Sequence, residues 1–433
     1  MSQNLSKGAT PIWKNLRLLY LFAGTMLVVT VSNVMRTSWA GDDWPNSQTP
    51  YWVKWRYGSL TPSHIWYEAQ YWNNQWMQGQ GRFYVVQWIE SRFVFSYFRS
   101  LWQYKLVETG ALLLAGLLFA YLLYKVSRSH SLTLLTLVFL SITIQFRRDF
   151  DPHIAFVFMV PSLLIKVFLA AILAHRAARA KTQMRGIWIS ILAGIIFFIG
   201  MSTYEYAFLL FPIILIAFLA GILQNHESRP VETETGSYKK YLTKELWIFL
   251  PIAISWVGYG LFVFGYLRAK AQAISGAYVL GTSLKSIPTF LSQLVPPWPL
   301  TVFHFSDIGK FSLNRGTELF GIGFALLGAY LLYGLLAHTF GTGGEPYFHA
   351  TKAAKLYYWA IVLIGIDLLC SPAFMLSIQK DWWNRAGITH SYLGILVQEF
   401  GSALFLALLV TFFIGRNIKV AVAQPKKGKG GRK

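Results

Sequence analysis

The sequence predicts an all-α polytopic membrane protein with about ten transmembrane helices, and three observations predict it. The 433-residue chain is 55% hydrophobic and only 13% charged, with a mean hydropathy of +0.43; soluble domains carry about twice that charge fraction. Apolar runs near the length a spanning helix needs, about 20 residues, recur along the chain. The net charge of +21 is gathered into short segments and a basic tail, the distribution that the positive-inside rule produces.

The predicted spans are 18–35, 106–124, 131–146, 154–175, 186–202, 206–223, 246–266, 317–338, 357–377 and 395–415. With residues 1–17 as a cytoplasmic N-terminus, the inner segments carry Lys and Arg at about twice the density of the outer ones. Both termini are therefore expected inside. The membrane domain runs over 18–415 and has two large outer loops, 36–105 and 267–316; 416–433 is a basic cytoplasmic tail. The first span is too long, and too polar at its outer end, for a cleaved signal peptide. Residues 224–245 read as a cytoplasmic linker. The basic charge is explained by topology, which removes the case for a nucleic-acid partner. No phosphate-binding glycine loop, dinucleotide fingerprint or zinc spacing is present. The single cysteine, Cys370, excludes an intramolecular disulfide.

The first outer loop is rich in aromatic residues. Trp66, Tyr67, Gln70, Tyr71 and Asn74 recur at helical spacing, as do Trp88, Arg92 and Phe95. This predicts amphipathic helices in the membrane interface, where Trp and Tyr settle. Asp42 and Asp43 open the loop, Gly81-Arg82 interrupts its aromatic run, and Glu68 and Glu90 flank that interruption. A carboxylate at a dry interface suits a general base, because desolvation raises its pKa toward the working range. Capping of an interface helix, or pairing with Arg36 or Arg82, is the competing explanation.

A second acidic group lies between the third and fourth spans, in Arg147-Arg148-Asp149-Phe150-Asp151-Pro152-His153. In an extended segment Asp149 and Asp151 share a side. Such a pair holds a divalent cation such as Mg or Mn, or orients a phosphate through one, and the two arginines suit phosphate directly. A self-neutralised loop is the alternative. Glu205 sits at the tight outer turn between the fifth and sixth spans. Arg268 in 267–316, and Arg385 and His390 in the last outer loop, complete the candidate cavity.

This layout resembles the GT-C membrane glycosyltransferases, which use polyprenyl-linked sugars. Gly41-Asp42-Asp43-Trp44 is similar to their acidic motif after the first span, and Asp149-Phe150-Asp151 to their second. The resemblance covers residues 15–225 in layout and topology alone beyond that. It implies Asp43 or Asp42 as the catalytic base or acceptor-orienting carboxylate. Asp149, Asp151, Arg147, Arg148 and His153 would orient the donor phosphate or a metal, with Arg82, Glu205, Arg268, Arg385 and His390 in support. The implied donor is a polyprenyl-phosphate sugar. The acceptor is a glycan, lipid or protein of the cell envelope, with membrane lipids around the enzyme. The chain has no soluble C-terminal domain of the kind the larger members carry. A glycan polymerase or ligase using outer arginines and a histidine is the first rival, and a lipid or solute transporter the second.

Overall fold

The computed structural model describes residues 16–144, 153–156, 158–227, 237–272, 274, 279–281, 283–294, 326, 328, 330, 352–383 and 394–423. Among them are eight helices long and apolar enough to cross a membrane, and no strand beyond an isolated bridge between Leu280 and Gln379. The protein is an all-α integral membrane protein.

The first crossing is α1 (Leu16–Val31), extended by a 3-10 turn over Ser32–Arg36. Four helices follow before the next crossing: α2 (Asp43–Ser47), α3 (Thr49–Tyr57), α4 (Pro62–Gln80) and α5 (Val85–Tyr97). Local signals set their ends. The Thr61 side chain accepts from the His64 amide and Pro62 opens α4, while Gly58 and Gly81, both at positive φ, close α3 and α4, the usual cap chemistry. We call the end of the bundle that carries α2–α5 the loop face.

Helix α6 (Leu101–Ser127) starts five residues ahead of the predicted span. Polar Lys105 and Glu108 do not end it, because they neutralise each other at 2.9 Å one turn apart. Helix α7 (His130–Thr143) has 14 residues, about 21 Å of helix, short of a full crossing. Residues 154–158 were predicted as the start of the fourth span. The described part of this segment is irregular, with Phe156 and Phe158 at positive φ, and α8 (Met159–Ala178) begins after it.

Helix α9 (Gln183–Thr203) leads through a 3-10 turn, Glu205–Leu210, into α10 (Phe211–Glu227). Helix α11 (Ser237–Gly260) starts inside the predicted 224–245 linker. It continues as a π-helical stretch, Leu261–Leu267, and ends in α12 (Arg268–Lys270). Short α13 (Ser286–Leu294) precedes α14 (Lys352–Ser377) and α15 (Ile395–Ala423). Of the predicted span 317–338 only Leu326, Gly328 and Tyr330 are described. All three are helical, and Gly328 packs so closely that an added Cβ would lie 2.8 Å from Met26 Sδ of α1.

The bundle packs α8 against α6, α9 and α10, α11 against α9, and α15 against α7 and α14. Phe119, Phe168 and Phe400 meet at its centre with ring centroids 5.0–5.6 Å apart. Small residues bring backbones together, as membrane helices require: a Cβ on Gly221 would stand 2.6 Å from the His175 carbonyl. Leu21, Trp188, Ile254 and Leu261 face outward and are exposed, as lipid-facing positions are.

Candidate functional site on the loop face

The adjacent aspartates part company. Gly41 at positive φ and hydrogen bonds from the Asp43 amide to Ala40 O and the Asn46 amide to Asp42 O make a tight turn. The turn leaves Asp42 exposed and Asp43 fully buried. The Tyr104 hydroxyl donates to Asp43 Oδ2 at 2.6 Å. Trp39 and Phe95 pack their rings on Tyr104, with centroids 5.1 and 4.7 Å away. Surrounding protein desolvates Asp42 enough to raise its carboxyl pKa. The Arg82 pairing that the sequence left open for the aspartates goes elsewhere, to Glu205.

Next to Tyr104, Lys105 binds Glu108 and reaches across to the Ile154 carbonyl at 2.8 Å. Gln87 of α5 donates to the Phe156 carbonyl at 3.2 Å. His153 Nε2 lies 2.5 Å from Glu399 Oε2 of α15, and Thr143 donates to the Glu399 carbonyl. Three helices thus hold residues 153–156 against the layer that contains Asp43. Arg147, Arg148, Asp149 and Asp151 lie outside the described residues, as do Arg385 and His390. Of the second acidic group only His153 is placed, and it is buried beside a carboxylate.

Glu205 is the hub of a second cluster. Arg82 Nε and Nη2 donate to its two oxygens at 2.8 and 2.6 Å, and Tyr84 Oη donates at 2.5 Å. The Arg82 guanidinium also lies over the rings of Tyr84, Tyr204 and Trp76, at 4.2, 5.6 and 5.7 Å. A planar, bidentate cation stacked on aromatic faces is what arginine does and lysine does not. Arg268 belongs here too: Glu205 and Arg82 are the charges acting on it, and its buried Nε has no hydrogen-bond partner among the described residues. The cluster therefore holds two guanidiniums against one carboxylate, which favours an anionic ligand.

Helix α5 joins the two clusters. Four of its five buried positions are polar, Gln87, Ser91, Arg92 and Ser96, and the fifth is Phe95. Gln87 Oε1, Trp88 Nε1, Ser91 Oγ, Arg92 Nε and Ser96 Oγ are buried without a partner among the described residues. Unsatisfied buried groups are rare and mark a place where water or a ligand completes the bonding. Arg92 donates through Nη1 to Asn46 and Thr49, and burial pulls its guanidinium pKa down to about 10. On the other face, Glu90 accepts from Lys166 at 2.6 Å and Ser162 at 2.7 Å of α8. Sequence reasoning saw Trp88, Arg92 and Phe95 as one helix face but missed Gln87, Ser91 and Ser96. Their four- and five-residue spacing inside an aromatic helix was the available signal.

Among the described residues no group of three or more His, Cys, Asp or Glu could hold a metal. The pair proposed for a divalent cation, Asp149 and Asp151, is not among those residues. No protein-family model matches the chain, and comparison with characterised proteins and with solved structures finds no match.

Proposed function

We propose that this protein is a GT-C-like membrane glycosyltransferase. It moves a sugar from a polyprenyl-phosphate donor to an envelope glycan, lipid or protein, on the outer face of a bacterial inner membrane. In this reading the chain crosses about ten times, both termini are cytoplasmic and the loop face is the outer one. One observation carries the reading: Asp43 of the first acidic pair and the segment that follows Arg147–Asp151 share one buried polar layer, joined through Tyr104, Lys105 and the Ile154 carbonyl.

The reaction is displacement at the anomeric carbon. The acceptor hydroxyl loses its proton to an Asp43 or Asp42 carboxylate and bonds to that carbon, while the bond to the phosphate oxygen breaks and polyprenyl phosphate leaves. Arg268, beside the neutralised Arg82–Glu205 pair, stabilises the charge on the leaving phosphate. The polar inner face of α5 suits sugar hydroxyls. The apolar bundle suits the lipid chain.

The test is transfer from polyprenyl-phosphate sugars by purified protein carrying Asp42→Asn, Asp43→Asn or both. Loss of transfer in one single variant with an unchanged melting temperature is the expected result. Full transfer by the double variant would end the reading. A transporter is the second reading, and the acid Asp367 inside the bundle favours it.

A further inference from the structure

We infer that Asp367, Tyr206 and Ser371 form a binding site for one sodium ion inside the membrane bundle. Asp367 stands on α14, ten residues before the helix end at Ser377, about 15 Å below the loop face. Its Oδ1 accepts from Ser371 Oγ at 2.8 Å, and Ser371 Oγ is also 3.4 Å from the Leu209 carbonyl. Its Oδ2 is buried with no hydrogen-bond partner among the described residues. None of the ion pairs in those residues involves Asp367.

A second unsatisfied group lies on the turn packed against this helix. Tyr206, on the 3-10 turn packed against α14, is 3% exposed, and its hydroxyl also has no hydrogen-bond partner among the described residues. Asp367 is the strongest charge acting on that hydroxyl. The other titratable groups felt there are Tyr204 and Cys370, and among the described residues Ser371 is the one side chain acting on the Asp367 carboxyl. Pro372 lies inside α14 and lacks the amide that the Leu368 carbonyl would otherwise receive. That carbonyl, one residue from an intramembrane acid, is therefore relieved of its usual helix partner.

The chemistry selects the ligand. The three side chains assigned to the site offer oxygens: a carboxylate, a phenol and a hydroxyl. Hard oxygen donors take hard cations. One formal negative charge in an apolar bundle balances one positive charge, so a divalent ion would leave a buried excess. Tyr206 follows Glu205 directly. A bound ion would therefore brace the turn that presents Glu205 to Arg82, whatever reaction the loop face performs.

The experiment uses the full chain in detergent. Sodium chloride is exchanged for choline chloride at constant ionic strength while the melting temperature is read, and radioactive sodium binding is counted in parallel. The expected result is a sodium-dependent rise in the melting temperature of the wild type, smaller in Tyr206→Phe and absent in Asp367→Asn, with one ion bound per chain. If Asp367→Asn does not fold, the sodium count on wild type and Tyr206→Phe decides. No sodium binding by wild type overturns the site. So does a stability that follows pH but not sodium, which would mean that Asp367 holds a proton instead.

Discussion

Arg82 grips both carboxylate oxygens of Glu205 across 123 residues of sequence, with both side chains buried. This clamp fixes the α4–α5 connection to the turn between α9 and α10. Removing one partner strands the other charge in a dry site, which costs about 3–5 kcal/mol. Arg82→Ala and Glu205→Ala should each lower the melting temperature sharply. The combined Arg82→Met, Glu205→Leu variant should lose less than the two single losses added together, as measured by thermal unfolding in detergent.

Gly81 should tolerate no side chain. Its φ is +64°, and a Cβ would lie 2.8 Å from Arg268 Cα and 3.1 Å from the Leu267 carbonyl oxygen. Those neighbours are backbone atoms and cannot swing aside. Gly81→Ala should cost about 2–4 kcal/mol from left-handed strain and overpacking together. Thermal unfolding checks this, and an unchanged melting temperature would show that α12 moves freely against α4.

Tyr104→Phe removes a donor from a fully buried carboxylate. The loss should be about 1.5–3 kcal/mol, the range for a hydrogen bond to a charged group. On the proposed reading, in which Asp43 serves as a base, transfer activity should fall more than the folded fraction does, because the hydroxyl also orients Asp43. Measuring kcat against the melting temperature separates the two effects.

Arg268→Gln should leave the fold intact, since its side chain is only partly buried and its Nε has no partner to lose among the described residues. Affinity for a phosphate-bearing donor should drop about 10- to 100-fold, the value of one charge-assisted contact. Equilibrium binding of a polyprenyl phosphate checks this directly, without reliance on turnover.

Asp42 carries a carboxyl pKa raised by desolvation. A carboxyl with a higher pKa in the folded than in the unfolded state favours folding while both states are protonated. That contribution is lost as pH rises through the folded pKa. Asp42→Asn should therefore be slightly more stable than wild type at neutral pH, with the difference vanishing below about pH 4, the unfolded carboxylate value. The effect is small because Asp42 is exposed. Melting temperatures across pH 3–8 test it.

The membrane class and the helices of the first loop were legible in the sequence because each is a local signal. Hydropathy reads burial in lipid, and the spacing of Trp66, Tyr67 and Tyr71 reads a helix face. Helix ends were less legible. Hydropathy placed the start of the second span after Lys105, yet that lysine is neutralised inside α6 by Glu108 and the Ile154 carbonyl. The same rule started the fourth span at residue 154, where side chains from α5, α6 and α15 hold residues 153–156 in an irregular backbone.

By itself, the sequence determined that this chain lives in a membrane and where its acids and aromatics cluster, because solvent preference and helical period are properties of neighbouring residues. Only the tertiary structure decided which charges are partners. Glu205 could have met any of several arginines, and it meets Arg82; Glu399 lies inside the last predicted span, 395–415, and it meets His153. It also decided that Asp43 turns inward while Asp42 turns outward. Pairing across more than a hundred residues depends on how the helices pack, and packing is a property of the whole chain at once.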